Sequence, residues 1–264
     1  ASDVYKRQIL KCIAFFMGWA ILVALLPVPP SDEPAVWRLW AEVMPLLVVI
    51  VCTFVFWLIE KKTVQLHLFD HPLRGVIVGG IAGVLWLAAP VLILLAAGIM
   101  HIDGCLSVRL FPVWMLAAFL NVVMQELLVR GYLYRMIRQK HNTAAAVIVT
   151  TVLFTACHGG AFEAGLVPVL NVVTMSLLMT AALEYSGSII APTTMHFLWN
   201  GVGALVLGGV SLAEDYPHLL VTSFSGAPLL SGGACKIEGS LIVLLVNVSL
   251  IAVFAVLQRK RKAA

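Results

Sequence analysis

Long apolar runs succeed one another along the chain: Ile9–Leu26, Val36–Leu58, Val76–Met100, Phe111–Met136, Ala144–Cys157, Leu166–Leu183, Ile189–Leu207 and Ser240–Leu257. A helix needs about 20 mostly apolar residues to cross a bilayer, and in lipid it must satisfy its own backbone groups. Runs of this length and number predict one fold class, an all-α polytopic membrane protein of about eight transmembrane helices. The fifth run is short and is expected to end inside the protein. Only 11% of the residues are charged, against about 25% in a soluble domain, which excludes an ordinary globular protein. A pI near 8.9 would suggest nucleic acid in a soluble chain. Here the basic residues flank the apolar runs, so the expected partner is the lipid bilayer and no nucleic acid.

The stretch 1–8 is polar and patternless, and is expected to be a non-native or disordered N-terminal segment; 9–264 is read as one transmembrane domain. Eight spans put both termini on one side, with thirteen of the 17 basic residues. Arg38, Arg109 and Lys236 fall to the opposite loops, and Arg130 lies within the membrane. By the positive-inside rule both termini face the cytoplasm. Gly79 and Gly83 form a small-xxx-small pair suited to close helix packing. The segment Gly208–Gly239 is either a lid or a surface excursion. Cys105 and Cys235 are both expected on the outer face, where a disulfide between them is one possibility.

Polar groups inside the apolar runs carry the functional signal. A charged side chain at mid-bilayer costs at least about 2.5–3.5 kcal/mol, so it needs a partner or a purpose. Gln125, Glu126 and Arg130 interrupt the fourth run, and the last two are four apart, on one helix face and able to pair. Phe154 and His158 share a face at the end of the fifth run, with Gly159-Gly160 expected to end the helix. His196 and Asn200 share a face in the seventh. Taken singly, His158 reads equally well as a hydrogen-bonded structural residue, and Asn200 as interhelical glue. Two histidines, an Asn, a Gln and a Glu–Arg pair together predict one polar pocket on helices 4, 5 and 7.

The pattern Gln125-Glu126-Leu-Leu-Val-Arg130, then Phe154…His158, then His196…Asn200 resembles the CPBP intramembrane proteases. That family comprises the type II CAAX prenyl endopeptidases and the bacteriocin-processing Abi proteins. The resemblance covers about Asn121–Asn200 and implies peptide hydrolysis by a glutamate-activated water, without metal or other cofactor. It further implies that position 125 holds the general base, that His158 assists it, and that His196 and Asn200 form the oxyanion hole. Glu126 and Arg130 would be the supporting ion pair. The family has Glu where this chain has Gln125, which keeps the shape of the base but accepts no proton. The chain therefore reads as an inactivated protease, by an engineered exchange or as a natural pseudo-protease, or as one recruiting Glu126. Glu126 lies about 100° further round the helix and faces elsewhere unless the helix is distorted.

The implied substrate is a membrane-associated peptide or protein, lipidated or not. Short loops and length suggest a bacterial inner or plasma membrane protein. Three other classes compete: a zinc protease built on His158, His196 and Glu126, a proton-coupled transporter, and a non-catalytic immunity or interaction protein. No His-Glu-x-x-His supports the first, and no internal repeat supports the second.

Overall fold

The structure, a computed structural model, describes residues 2–210 and 216–263. Helices α1 (Ser2–Leu25), α2 (Pro34–Ile59) and α3 (Pro72–Ala96) come first, then strand β1 (Met100–Cys105). Helix α4 (Phe111–Glu126) continues through a π-helical turn, Leu127–Gly131, into α5 (Tyr132–Lys140). Helices α6 (Thr143–Ala156), α7 (Gly159–Ala164) and α8 (Leu166–Ser186) follow. Helix α9 (Ile190–Phe197) runs into a second π-helical stretch, Leu198–Val206. Strand β2 (Leu220–Phe224), the short α10 (Pro228–Ser231) and α11 (Leu241–Ala263) complete the order. Prolines at the first turn of α2, α3 and α4 start those helices where a missing N–H does no harm.

Among the described residues six helices are long and apolar enough to cross a membrane: α1, α2, α3, α4 with α5, α8 and α11. At the expected fifth and seventh spans stand shorter elements, α6 with 14 residues and α9 with its π extension, 8 and 9 residues. Leu47, Ile50, Val51 and Phe54 of α2 and Ile77, Ile81, Val84 and Leu85 of α3 are exposed. Apolar exposure this continuous does not suit water, whereas in lipid it carries no penalty. The chain is an integral membrane protein.

Two readings need correction. The fold is nearly, not purely, helical: β1 pairs antiparallel with β2, Met100 opposite Phe224 and Cys105 opposite Leu220, with an irregularity between Ile102 and Gly104. Both strands lie outside the apolar runs, where water can satisfy a sheet edge that lipid cannot. The long Gly208–Gly239 segment therefore holds part of this sheet; its residues 211–215 lie outside the described residues. Cys105 and Cys235 are not bridged, and no disulfide joins any of the five cysteines. Helix α1 begins at Ser2, within the stretch 1–8, of which Ala1 is not described.

The chain divides into two compact units, 1–67 with 110–150, and 68–109 with 151–264. In the first, α2 packs along α4. Phe15, Phe56 and Tyr132 meet with ring centroids 5.0–5.7 Å apart, joining α1, α2 and α5. In the second, α3 packs against α9 and α8 against α11. A Cβ on Gly79 would come within 2.8 Å of Thr194 Cβ, and one on Gly83 within 2.8 Å of Leu198 Cδ1. The glycine pair is thus the contact surface on which α9 rests, as expected of small residues in a membrane.

Candidate active site

In the first unit, the regular helix α4 carries Gln125, half-buried, and Glu126, fully buried. Arg130 sits one turn on, in the π-helical turn, and is also fully buried. Its Nη1 donates to both Glu126 oxygens, at 3.0 and 2.9 Å. The expected ion pair exists, and its burial gives it consequence: removing either partner would strand a charge away from water. The helix widens only after Glu126, whose own φ and ψ of −66° and −39° are α-helical. No distortion turns Glu126 toward the Gln125 face.

Gln125 has partners that sequence reasoning missed. Its Nε2 donates to Asn121 Oδ1 at 2.6 Å, and Asn121 Nδ2 donates to Glu42 Oε2 at 2.7 Å. Glu42 Oε1 accepts from Arg38 Nε at 2.8 Å. Arg38, expected in a loop, lies inside α2, where it pairs with the buried Glu42. The signal was available: Arg38 and Glu42 have the same four-residue spacing inside an apolar run as Glu126 and Arg130.

In the second unit, helix α6 ends at Ala156, so His158 lies beyond it rather than on it, as the residue before α7. Gly159 and Gly160 open that new helix instead of ending the old one. The imidazole nevertheless folds back over Phe154, ring centroids 4.3 Å apart. His158 Nδ1 lies 2.7 Å from the Phe154 carbonyl oxygen. A carbonyl only accepts, so Nδ1 carries the proton and Nε2 of the neutral ring keeps its lone pair. His196, 3% exposed, meets the same Phe154 ring at 6.0 Å in an edge-on arrangement. Phe154 therefore gathers the two imidazoles to one place.

Asn200, half-buried, follows one turn later in the second π-helical stretch. Its neighbour Trp199 stacks on Trp86 at 4.4 Å and donates from Nε1 to Glu238 Oε1 at 3.2 Å. Glu238 is buried, and Asn171 Nδ2 donates to its carbonyl oxygen at 2.7 Å. These contacts fix the rotation of the stretch that presents Asn200. Both π-helical segments occur at the predicted motifs, and such widened turns are frequent at functional sites.

A cavity of about 510 Å³ in the first unit is lined by Gln65, His67, Arg135, Arg138, Gln139, Asn142 and Thr143. It begins ten residues past Gln125, roughly 15 Å along the helix axis, so it is separate from the motif. Among the described residues no three His, Cys, Asp or Glu side chains gather at metal-binding distance.

A model of the type II CAAX prenyl endopeptidase Rce1-like family matches residues 107–202. This stretch is an Rce1-like domain. It runs from just before α4 into the second π-helical stretch and contains Gln125, Glu126, Arg130, His158, His196 and Asn200. Helices α1 to α3 and α11 lie outside the match. No curated protein and no solved structure matches the chain. The membrane-embedded polar groups of the sequence motifs thus all lie in the stretch that is similar to a type II CAAX prenyl endopeptidase family.

Proposed function

We propose that the chain is a metal-independent intramembrane endopeptidase of the glutamate type in which Gln125 occupies the general-base position. His158 assists at that position through Nε2, and His196 and Asn200 stabilise the tetrahedral oxyanion. Glu126 and Arg130 hold the helix that carries Gln125. Two oxyanion donors would contribute about 3–4 kcal/mol each, and a positioned base roughly 10²–10⁴-fold in rate. The convergence of His158 and His196 on Phe154, within the Rce1-like domain, carries this reading. With Gln125 in place the chain binds a membrane-associated peptide or protein, lipidated or not, and cleaves it slowly if at all.

Eight crossings fit the charge distribution, with α6 and the α9 segment as the two short ones and both termini cytoplasmic, in a bacterial inner or plasma membrane. The runner-up is a non-catalytic pseudo-protease or immunity protein. One observation favours it: the Gln125 amide is itself engaged, donating to Asn121. The test is cleavage of a farnesylated peptide and of an unlipidated amphipathic peptide by purified protein in liposomes. Gln125→Glu is expected to cleave at least one of them above the unaltered chain, and His158→Ala or His196→Ala in that background to abolish the gain. If Gln125→Glu stays inert while Glu126→Gln in the unaltered chain removes an existing activity, the roles are wrongly assigned.

A further inference from the structure

The chain Arg38–Glu42–Asn121–Gln125 has a direction that chemistry imposes. An ionised carboxylate only accepts, so Glu42 must receive the Nδ2 amide of Asn121. That leaves Asn121 Oδ1 facing position 125, and an amide oxygen needs a donor there. Gln125 supplies one through Nε2. A carboxylate at 125 would supply none. Asn121 has a single amide group, and it cannot donate to carboxylates on both sides at once. Glu42, at the far end, is buried and paired with Arg38. A second ionised carboxylate would lie on the other side of the same amide from Glu42, and like charges close together in the membrane interior are costly.

We propose that Glu42 is a positioning residue that acts through Asn121 to make position 125 of this chain a site for a carboxamide. With its amide nitrogen held by Asn121, Gln125 turns Oε1 the other way, as an acceptor suited to a water or a substrate peptide N–H. This inference rests on the reading of position 125 as the base position. Simple return of Glu at 125 then produces a carboxyl that holds its proton, because only the protonated form can donate to Asn121 Oδ1. Exchanging the two ends restores the pattern. With Gln at 42 and Glu at 125, the carboxamide on α2 accepts from Arg38 and donates to Asn121 Oδ1, and Asn121 Nδ2 donates to the carboxylate on α4.

The experiment compares the unaltered protein, Q125E, E42Q and E42Q/Q125E in liposomes, each checked for folding by size exclusion and thermal unfolding. Infrared difference spectra at neutral pH read protonated carboxyl directly. Q125E is expected to show one carboxyl C=O stretch that the unaltered protein lacks, shifted on exchange into heavy water, and E42Q/Q125E to lack it. The double variant is also expected to melt above Q125E. Cleavage by the double variant should exceed that of Q125E about tenfold or more, since one pKa unit of proton retention removes about that much active base. Equal infrared spectra for Q125E and the double variant overturn the role of Glu42, whatever the cleavage rates. The carboxyl signal behaving as expected, with neither variant cleaving either peptide, upholds the role of Glu42 and overturns the proposed function instead.

Discussion

At the scale of single residues, two i,i+4 ion pairs sit where hydrocarbon is expected, Glu126 with Arg130 and Arg38 with Glu42. The first is fully buried, so Arg130→Ala should destabilise the protein by about 3–5 kcal/mol by stranding the Glu126 charge. The double replacement Glu126→Gln with Arg130→Met should cost less than Arg130→Ala alone, because it strands nothing. Denaturant unfolding in detergent measures both, and a double variant as unstable as Arg130→Ala would contradict the pairing account. The first pair was legible in the sequence because a spacing rule was applied to it. The same rule fits Arg38 and Glu42, both inside the run Val36–Leu58, although the charge count sets Arg38 in a loop. The link through Asn121 was not legible, because contact between α2 and α4 depends on packing that no local pattern encodes.

At the scale of elements, the apolar runs gave the helices to within a few residues, since hydrocarbon length sets helix length. What the runs could not give was the backbone's departures from them. The π-helical turns at Leu127–Gly131 and Leu198–Val206 lie inside the apolar runs Phe111–Met136 and Ile189–Leu207, whose pattern gives no sign of a widened turn. The break before His158 was expected two residues late, because Gly159-Gly160 looked like the terminator and instead starts α7. Strands β1 and β2 lie in segments whose pairing is non-local and carries no periodic signal. The glycine contact of α3 with α9 was legible and has a measurable consequence. Gly79→Val would drive its side chain into Thr194 and Ala191. It should lower stability by about 1–3 kcal/mol, the usual cost of overpacking. In a Gln125→Glu background it should also lower cleavage, because α9 carries His196. Unchanged cleavage with unchanged melting would show that α9 does not depend on that contact.

At the scale of the whole molecule, a protein with few charged groups within its apolar runs places one buried ion pair, Glu126 with Arg130, in the stretch similar to the Rce1-like family and a second, Arg38 with Glu42, on α2. On the proposed eight-crossing topology most basic residues fall on one side, so cysteine-accessibility labelling should find both termini cytoplasmic. The chemistry assigned to those groups uses water, imidazole, amide and carboxyl alone. Cleavage gained by Gln125→Glu should therefore survive dialysis against a strong chelator, whereas a zinc protease would lose it. The most direct measurement is the mass-spectrometric rate of peptide cleavage by the unaltered chain and by Gln125→Glu, side by side in chelator-treated liposomes. The expected result is a new, defined cleavage product from Gln125→Glu, lost when His158 is replaced. Absence of that product from both the Gln125→Glu protein and the Glu42→Gln/Gln125→Glu protein, each folded and membrane-inserted, would contradict it.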